Sequence, residues 1–216
     1  MKTLRLGSIG PSVQLLQLAL VRAGYAPLAT DGIFGAATQY ALRRFQQNNA
    51  LTPDGVAGAL THRALLPWYT GFLVHTVSPG DTLSSVAARY GTTVNAILMA
   101  NPDIDAQNLA PGAALVVPLP FDVVPTTIDW CSALVGYCVR GLSARYPFIV
   151  SGEIGKSVMN RPLWCMTLGR GDNRVLYSAA HHANEWITTP LLLKFAEQLA
   201  RAYADGGFIY SQSAAE

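Results

Sequence analysis

A histidine and a glutamate three residues apart, His182 and Glu185, stand in a stretch (177–187) that reads Tyr-Ser-Ala-Ala-His-His-Ala-Asn-Glu-Trp-Ile. On a helix, positions i and i+3 share a face, so a neutral imidazole and a carboxylate there can point at one small divalent cation. Two such ligands, a third from elsewhere and an open position for water make a catalytic zinc site. His181 stands at i,i+4 to Glu185 and offers the same face, so spacing alone leaves two histidines in competition. A solitary His-x-x-Glu is otherwise a surface ion pair. Its setting favours a metal: an apolar run (175–180) reads as a buried strand just ahead, and sites in open α/β sheets form at the carboxyl ends of strands.

The elements that must position this pair run from about residue 127. The pattern predicts a helix over 128–145, strands at 148–150, 163–168 and 175–180, and a turn at 169–172. A last helix follows, with Ile187, Leu191, Phe195 and Leu199 on its core face and Glu197 and Arg201 as an exposed i,i+4 pair. Pro190 fits in its first turn. Helices alternating with strands predict an α/β layer structure. Residues 118–125, Pro-Leu-Pro-Phe-Asp-Val-Val-Pro, read as a stiff linker ahead of this unit.

Two smaller units precede the linker. In residues 1–68, Asp31-Gly-Ile-Phe-Gly-Ala-Ala-Thr recurs as Asp54-Gly-Val-Ala-Gly-Ala-Leu-Thr. Each copy places an Asp-Gly turn before a helix. Ahead of them, Ser12 can cap a helix with Val13, Leu16 and Leu20 on one face, ended by Gly24. Three short helices around a small core are expected, with His62 as a solvated helix residue. Residues 73–119 read strand, helix, helix, strand. Val74 to Val77 alternate, Asp81 is placed to cap the first helix, Gly91 ends it, Asn101-Pro102 ends the second, and Leu115 to Pro118 form the closing strand. His75 falls on a strand face with no special chemistry.

Half of the residues are hydrophobic and 13% are charged, so the chain is globular rather than disordered. A net charge of +2 without a Lys/Arg run gives no footprint for nucleic acid. No apolar run reaches the roughly 18 residues of a membrane span, and no signal-peptide core is evident at the start. The sequence carries no signal for an oligomeric state. Cys131 and Cys138, seven apart on a predicted helix, have Cα atoms about 10 Å apart, too far for a disulfide. Packing is their expected role.

Three resemblances run along the chain. Leu15-Leu-Gln, Phe45-Gln-Gln and the two Asp-Gly-x-x-Gly-x-x-Thr elements resemble the peptidoglycan-binding-like family. Gly80-Asp-Thr-Leu, Tyr90-Gly-Thr, Asn101-Pro-Asp-Ile and Pro111-Gly-x-x-Leu resemble a LysM module. That likeness implies a shallow groove for N-acetylglucosamine glycans, bordered by Gly80, Asp81, Thr82 and Leu83 on one side and Asn101, Pro102, Asp103 and Ile104 on the other. Tyr146-Pro, Ile154-Gly-Lys-Ser, Asn160-Arg-Pro, Gly169-Arg-Gly and His182-Ala-Asn-Glu-Trp resemble the start of the carboxypeptidase-A-like zinc metallopeptidases.

The third resemblance makes His182 and Glu185 the first two zinc ligands, ahead of His181. Asn184, where digestive members carry Arg, resembles the bacterial branch that cleaves γ-D-glutamyl-diamino-acid bonds of peptidoglycan stem peptides. The expected architecture is multidomain: a small three-helix bundle (1–68), a βααβ LysM module (73–119) and an incomplete α/β metallopeptidase domain (127–216). The implied partners are peptidoglycan glycan and stem peptides, with zinc as cofactor and a location in the bacterial cytoplasm or at the spore or cell wall. In this family the third ligand and the general-base glutamate lie downstream, and no histidine follows His182. The expectation is therefore that the 216-residue chain holds no catalytic residue and is inactive alone, with 127–216 its least stable part. The rival is a non-catalytic wall-glycan binding protein whose third unit is a scaffold.

Overall fold

Pro11 has the fixed φ and missing N–H that suit the first position of a helix, and the first helix begins there. The computed structural model describes residues 2–25, 29–169, 172, 174–182, 184–209 and 212–213. Arg170 and Gly171 of the expected 169–172 turn, and Ala183 of the histidine motif, lie outside the described residues. The chain divides into two compact units, Met1–Thr70 with Pro125–Val135, and Gly71–Val124 with Gly136–Glu216.

The first unit holds α1 (Pro11–Arg22), α2 (Ala36–Asn48), α3 (Ala59–Ala64) and α4 (Leu66–Thr70). Its N-cap is Gly10, not Ser12, because Pro11 takes the first helical position. A fourth short helix stands where three are expected. Leu16, Leu20, Leu42, Phe45, Leu65 and Tyr69 are fully buried. The Phe45 ring meets Tyr25 and Trp68 edge-on, with centroids 5.5 and 5.8 Å away. His62, expected in solvent, is buried: its ring nitrogens lie 3.0 Å from the Tyr69 hydroxyl and 3.2 Å from the Lys2 carbonyl oxygen. Burial holds its pKa below the usual 6.5.

The internal repeat is held by two buried glutamines. Gln17 Nε2 donates to Asp31 Oδ1 (2.8 Å), the Ile33 carbonyl (3.1 Å) and Thr38 Oγ1 (3.1 Å), while its Oε1 accepts from the Gly32 N–H (2.9 Å). Gln46 repeats the pattern one helix later. Its Nε2 donates to Asp54 Oδ1 (2.9 Å), the Val56 carbonyl (3.0 Å) and Thr61 Oγ1 (3.2 Å), and its Oε1 accepts from the Gly55 N–H (2.9 Å). Both Asp carboxyls sit below their usual pKa, held first by the N–H two residues on and then by the glutamine. Gly55 is required at its turn: its φ is +73°, and a Cβ there would come within 2.8 Å of Arg43 Nε and Gln39 Cγ.

The second unit begins with β1 (Phe72–Thr76), α5 (Leu83–Tyr90), α6 (Val94–Ala100) and β2 (Ala114–Pro118). The strands pair antiparallel, Phe72 opposite Pro118 and Thr76 opposite Ala114. Val77, Leu83, Val86, Ile97, Leu115 and Val117 make the core between sheet and helices. The cap of α5 is Thr82, not Asp81: Thr82 accepts from the Ser85 N–H, and Ser85 Oγ accepts from the Thr82 N–H. Gly91 ends the helix in the left-handed region, as its sequence position predicts.

Farther along lie α7 (Ser132–Arg145), β3 (Val150–Lys156), β4 (Pro162–Thr167), α8 (Thr188–Ala204) and the short hairpin β5 (Phe208–Ile209) and β6 (Gln212–Ser213). The β3–β4 pair is antiparallel, with its register shifted between Glu153 and Gly155. Among the described residues the strands form three two-stranded antiparallel sheets and no layered sheet. Residues 175–180 belong to no strand, and Val175, Leu176 and Tyr177 are 72%, 89% and 62% exposed. The buried strand expected there is therefore not formed, since no described strand lies beside it to satisfy its backbone.

α8 also turns a different face inward. Leu193, Ala196, Glu197 and Ala200 are buried, while Ile187 and Leu191 are exposed. Glu197 pairs with Lys194, and Arg201 pairs with Asp122, in place of the expected Glu197–Arg201 pair. The linker is tied down as well: Val123, Val124 and Pro125 are buried.

Candidate glycan and metal sites

The two loops expected to border a glycan groove close over one core. Leu83, from the first, belongs to the cluster around Val86 and Ile97, and Ile104, from the second, packs against the same cluster. Their side chains do different work from one another. Asp81, 6% exposed, accepts from the Ser78 N–H (2.8 Å) and meets His75 Nε2 (2.8 Å), with Arg89 at 3.4 Å. Those partners, the Ser78 N–H first, hold its carboxyl below the usual range. His75 Nδ1 in turn lies 3.1 Å from the Tyr90 hydroxyl. Asp81 therefore shapes the 78–82 turn from within.

Asn101 is equally occupied. Its Oδ1 accepts from the Val116 N–H (2.9 Å), and its Nδ2 donates to the Val116 and Ile97 carbonyls (2.7 Å each), so one side chain extends the edge of β2. Among the eight expected groove residues, Gly80, Thr82, Pro102 and Asp103 are exposed. Sequence reasoning missed the His75–Asp81–Tyr90 chain. The signal was available: strand alternation sets His75 on the same face as Val77, which is the buried face.

His182 and Glu185 converge. His182 Nδ1 lies 2.7 Å from Glu185 Oε1, and the His182 N–H donates to Oε2 at 3.2 Å. They do so across a turn, because α8 begins only at Thr188. Pro190 explains this. It cannot donate to a residue four back, and its ring would clash there, so the helix cannot run back through the motif. Thr188 ties the turn: its hydroxyl donates to the Glu185 carbonyl (2.7 Å) and accepts from the Ala180 N–H (2.7 Å). The His182 side chain, then its backbone N–H, holds the Glu185 carboxyl below its usual pKa.

The pair is exposed, with side chains 72% and 41% accessible. An imidazole nitrogen and a carboxylate oxygen this close are a donor set that suits zinc once their mutual hydrogen bond opens. The His181 ring stands edge-on to that of His182, with centroids 5.1 Å apart. Among the described residues no group of three His, Cys, Asp or Glu side chains could hold a metal.

Comparison with known proteins divides the chain in the same order. Residues 9–65 match the family model described as "Putative peptidoglycan binding domain", residues 75–118 the LysM domain, and residues 137–212 the zinc carboxypeptidase model. The gamma-D-glutamyl-L-diamino acid endopeptidase 1 of Lysinibacillus sphaericus is 42% identical over 57 residues, 26% of this chain and 14% of that protein. The zinc D-Ala-D-Ala carboxypeptidase of Streptomyces albus G is 48% identical over 63 residues, 27% of this chain and 24% of that protein. A spore cortex-lytic enzyme of Bacillus cereus is 42% identical over 60 residues, 28% of this chain and 23% of that protein. The matched stretches thus cover no more than about a quarter of these relatives.

Proposed function

We propose that this chain brings a zinc-dependent peptidase segment to peptidoglycan. Residues 1–68 and 73–119 hold the wall, and residues 127–216 carry two zinc ligands, His182 and Glu185. The observation that carries the reading is the series of three matches, two to wall-binding domains and one to a zinc carboxypeptidase, in one chain. The substrate we assign is the γ-D-glutamyl-diamino-acid bond of a stem peptide. Asn184 beside Glu185 and the name of the Lysinibacillus relative support this choice. Wall or spore association fits the same relatives, and among the described residues no helix is long and apolar enough to cross a membrane.

Zinc, when bound, would polarise the scissile carbonyl and lower the pKa of a bound water. The chain's own part is to present ligands. His182 supplies a ring nitrogen, Glu185 a carboxylate oxygen whose pKa is held below its usual value, and Thr188 fixes the turn between them. For the glycan, the exposed residues Gly80, Thr82, Pro102 and Asp103 form the accessible edge of the two loops, with Asp81 and Asn101 holding both loops in shape. His182 is the last histidine in the sequence, so these residues supply two of three ligands and no turnover is expected from them alone.

Two measurements on the full chain test this reading. It should pellet with purified peptidoglycan sacculi and be released by millimolar N-acetylglucosamine oligomers. Equilibrium dialysis should find one zinc per chain at micromolar to millimolar free metal, lost in Glu185→Gln. Failure to pellet would remove the wall assignment, and zinc uptake unchanged in Glu185→Gln would remove the ligand assignment. A second reading, a wall-binding protein with a non-catalytic third unit, draws support from the exposed His182–Glu185 pair satisfying itself. Pelleting without any zinc uptake would favour it.

A further inference from the structure

Residues 119–124 join the LysM-type module to α7 and α8, and the backbone of Leu119, Phe121 and Val123 is partnered on both N–H and carbonyl. The Leu119 N–H donates to the Gly71 carbonyl (2.8 Å), and the Phe121 N–H to the Leu119 carbonyl (2.8 Å). The guanidinium of Arg145, at the end of α7, donates to the carbonyls of Leu119 (2.7 Å), Phe121 (3.1 Å) and Gly71 (3.1 Å). The Val123 N–H donates to Glu197 Oε1 at 2.6 Å, across 74 residues of sequence. Glu197 is wholly buried on α8, and its other oxygen meets Lys194 Nζ at 2.8 Å. Lys194 reaches on to Asp122 (2.6 Å), and Arg201, one turn after Glu197, binds the other Asp122 oxygen.

A carboxylate taken fully out of water costs several kcal/mol unless charge and hydrogen bonds repay it. Glu197 is repaid by two partners, of which Val123 belongs to the connecting segment. Separating that segment from α8 would part the Val123 N–H from Glu197, and separating it from α7 would part Arg145 from the Leu119 and Phe121 carbonyls. We infer that 119–124 is an intramolecular docking surface that locks the module to α7 and α8, so that the two open as one cooperative body and not as beads on a spacer. The inference rests on these contacts and stands whatever either part binds. Its functional consequence alone rests on the reading above: α8 carries the His182–Glu185 turn at its amino end, so the lock would hold a bound glycan at a fixed bearing to that turn.

Hydrogen exchange followed by mass spectrometry on the full chain tests the lock. In the wild type, the slowest amides of α8 and those of β1, α5 and β2 should exchange at rates within about tenfold of each other, as members of one opening unit. Asp122→Asn removes one charge from the exposed rim of the network. It should speed exchange of α8 and of 119–124 together, by about fivefold, as fits a surface ion pair. Arg145→Met should give a larger loss, about a hundredfold, in the same segments. Should Arg145→Met fail to fold, the wild-type and Asp122→Asn data decide. Wild-type α8 amides exchanging more than about tenfold faster than the module, or α8 and 119–124 unmoved in Asp122→Asn, would overturn the proposal.

Discussion

Replacing Gln46 by Leu isolates the energetic role of the buried glutamines. The side-chain volume is nearly conserved, so no large cavity opens. What is lost is the acceptor for the Gly55 N–H, a buried donor with no other partner in the turn, and the donor to Asp54, Val56 and Thr61. A buried N–H left without an acceptor costs about 1–3 kcal/mol. Asp54 is exposed and regains water, so its share is small. Added apolar burial of the leucine returns roughly 1 kcal/mol. The net expectation is about 1 kcal/mol, or about a fivefold faster exchange of protected α2 and α3 amides. Hydrogen exchange on the full chain reads this directly, with Gln47→Leu, the exposed neighbour, as the control expected to stay within about 0.5 kcal/mol. Equal behaviour of the two variants would show that the glutamine contacts are incidental to stability.

Two further outcomes follow from the second unit. Burial opposes ionisation of Asp122, but hydrogen bonds from Lys194 and Arg201 overcome it and hold its pKa at about 2. The folded value lies below the unfolded 3.8, so its contribution is present above pH 3.8 and lost as pH falls toward 2; the carboxylate is half exposed, so screening limits it to about 1 kcal/mol. An acid titration of stability that is identical in wild type and Asp122→Asn over that window would contradict this. Asn101→Ala removes the partners of Val116 on both its N–H and carbonyl and should destabilise the βααβ module by about 1–3 kcal/mol. Thermal melting with a change under about 0.5 kcal/mol would show that water replaces the side chain.

The legible and illegible parts of the sequence differ in the range of the interactions behind them. The βααβ order, the Gly91 stop and the Asn101 boundary were readable because caps and alternation act over a few residues. Asp81 was misread as a cap because Thr82, next to it, competes for the same role, and only the buried His75 shows why the carboxylate turns inward. Glu197 was placed on the solvent face by its charge. Its partner Val123 is 74 residues away, a distance over which no periodicity carries a signal. The strand expected at 175–180 failed for a related reason, since an apolar run becomes a strand only when a neighbour accepts its backbone. His182 and Glu185 were found by spacing, and their convergence across a turn rather than a helix follows from Pro190.

The paired glutamines also give the first unit a direction along the chain. Gln17, on α1, grips the turn at 31–33 from which α2 departs, and Gln46, on α2, grips the turn at 54–56 from which α3 departs. α1 and α2 therefore each hold the turn that launches the next helix, and neither glutamine holds the turn ahead of its own helix. The gripping contacts span 14 to 21 residues in the first copy and 8 to 15 in the second, short loops that close quickly. Each grip thus needs only neighbouring sequence, whereas the Leu4–Ala57 bridge and the His62–Lys2 contact, which close the unit, need both of its ends.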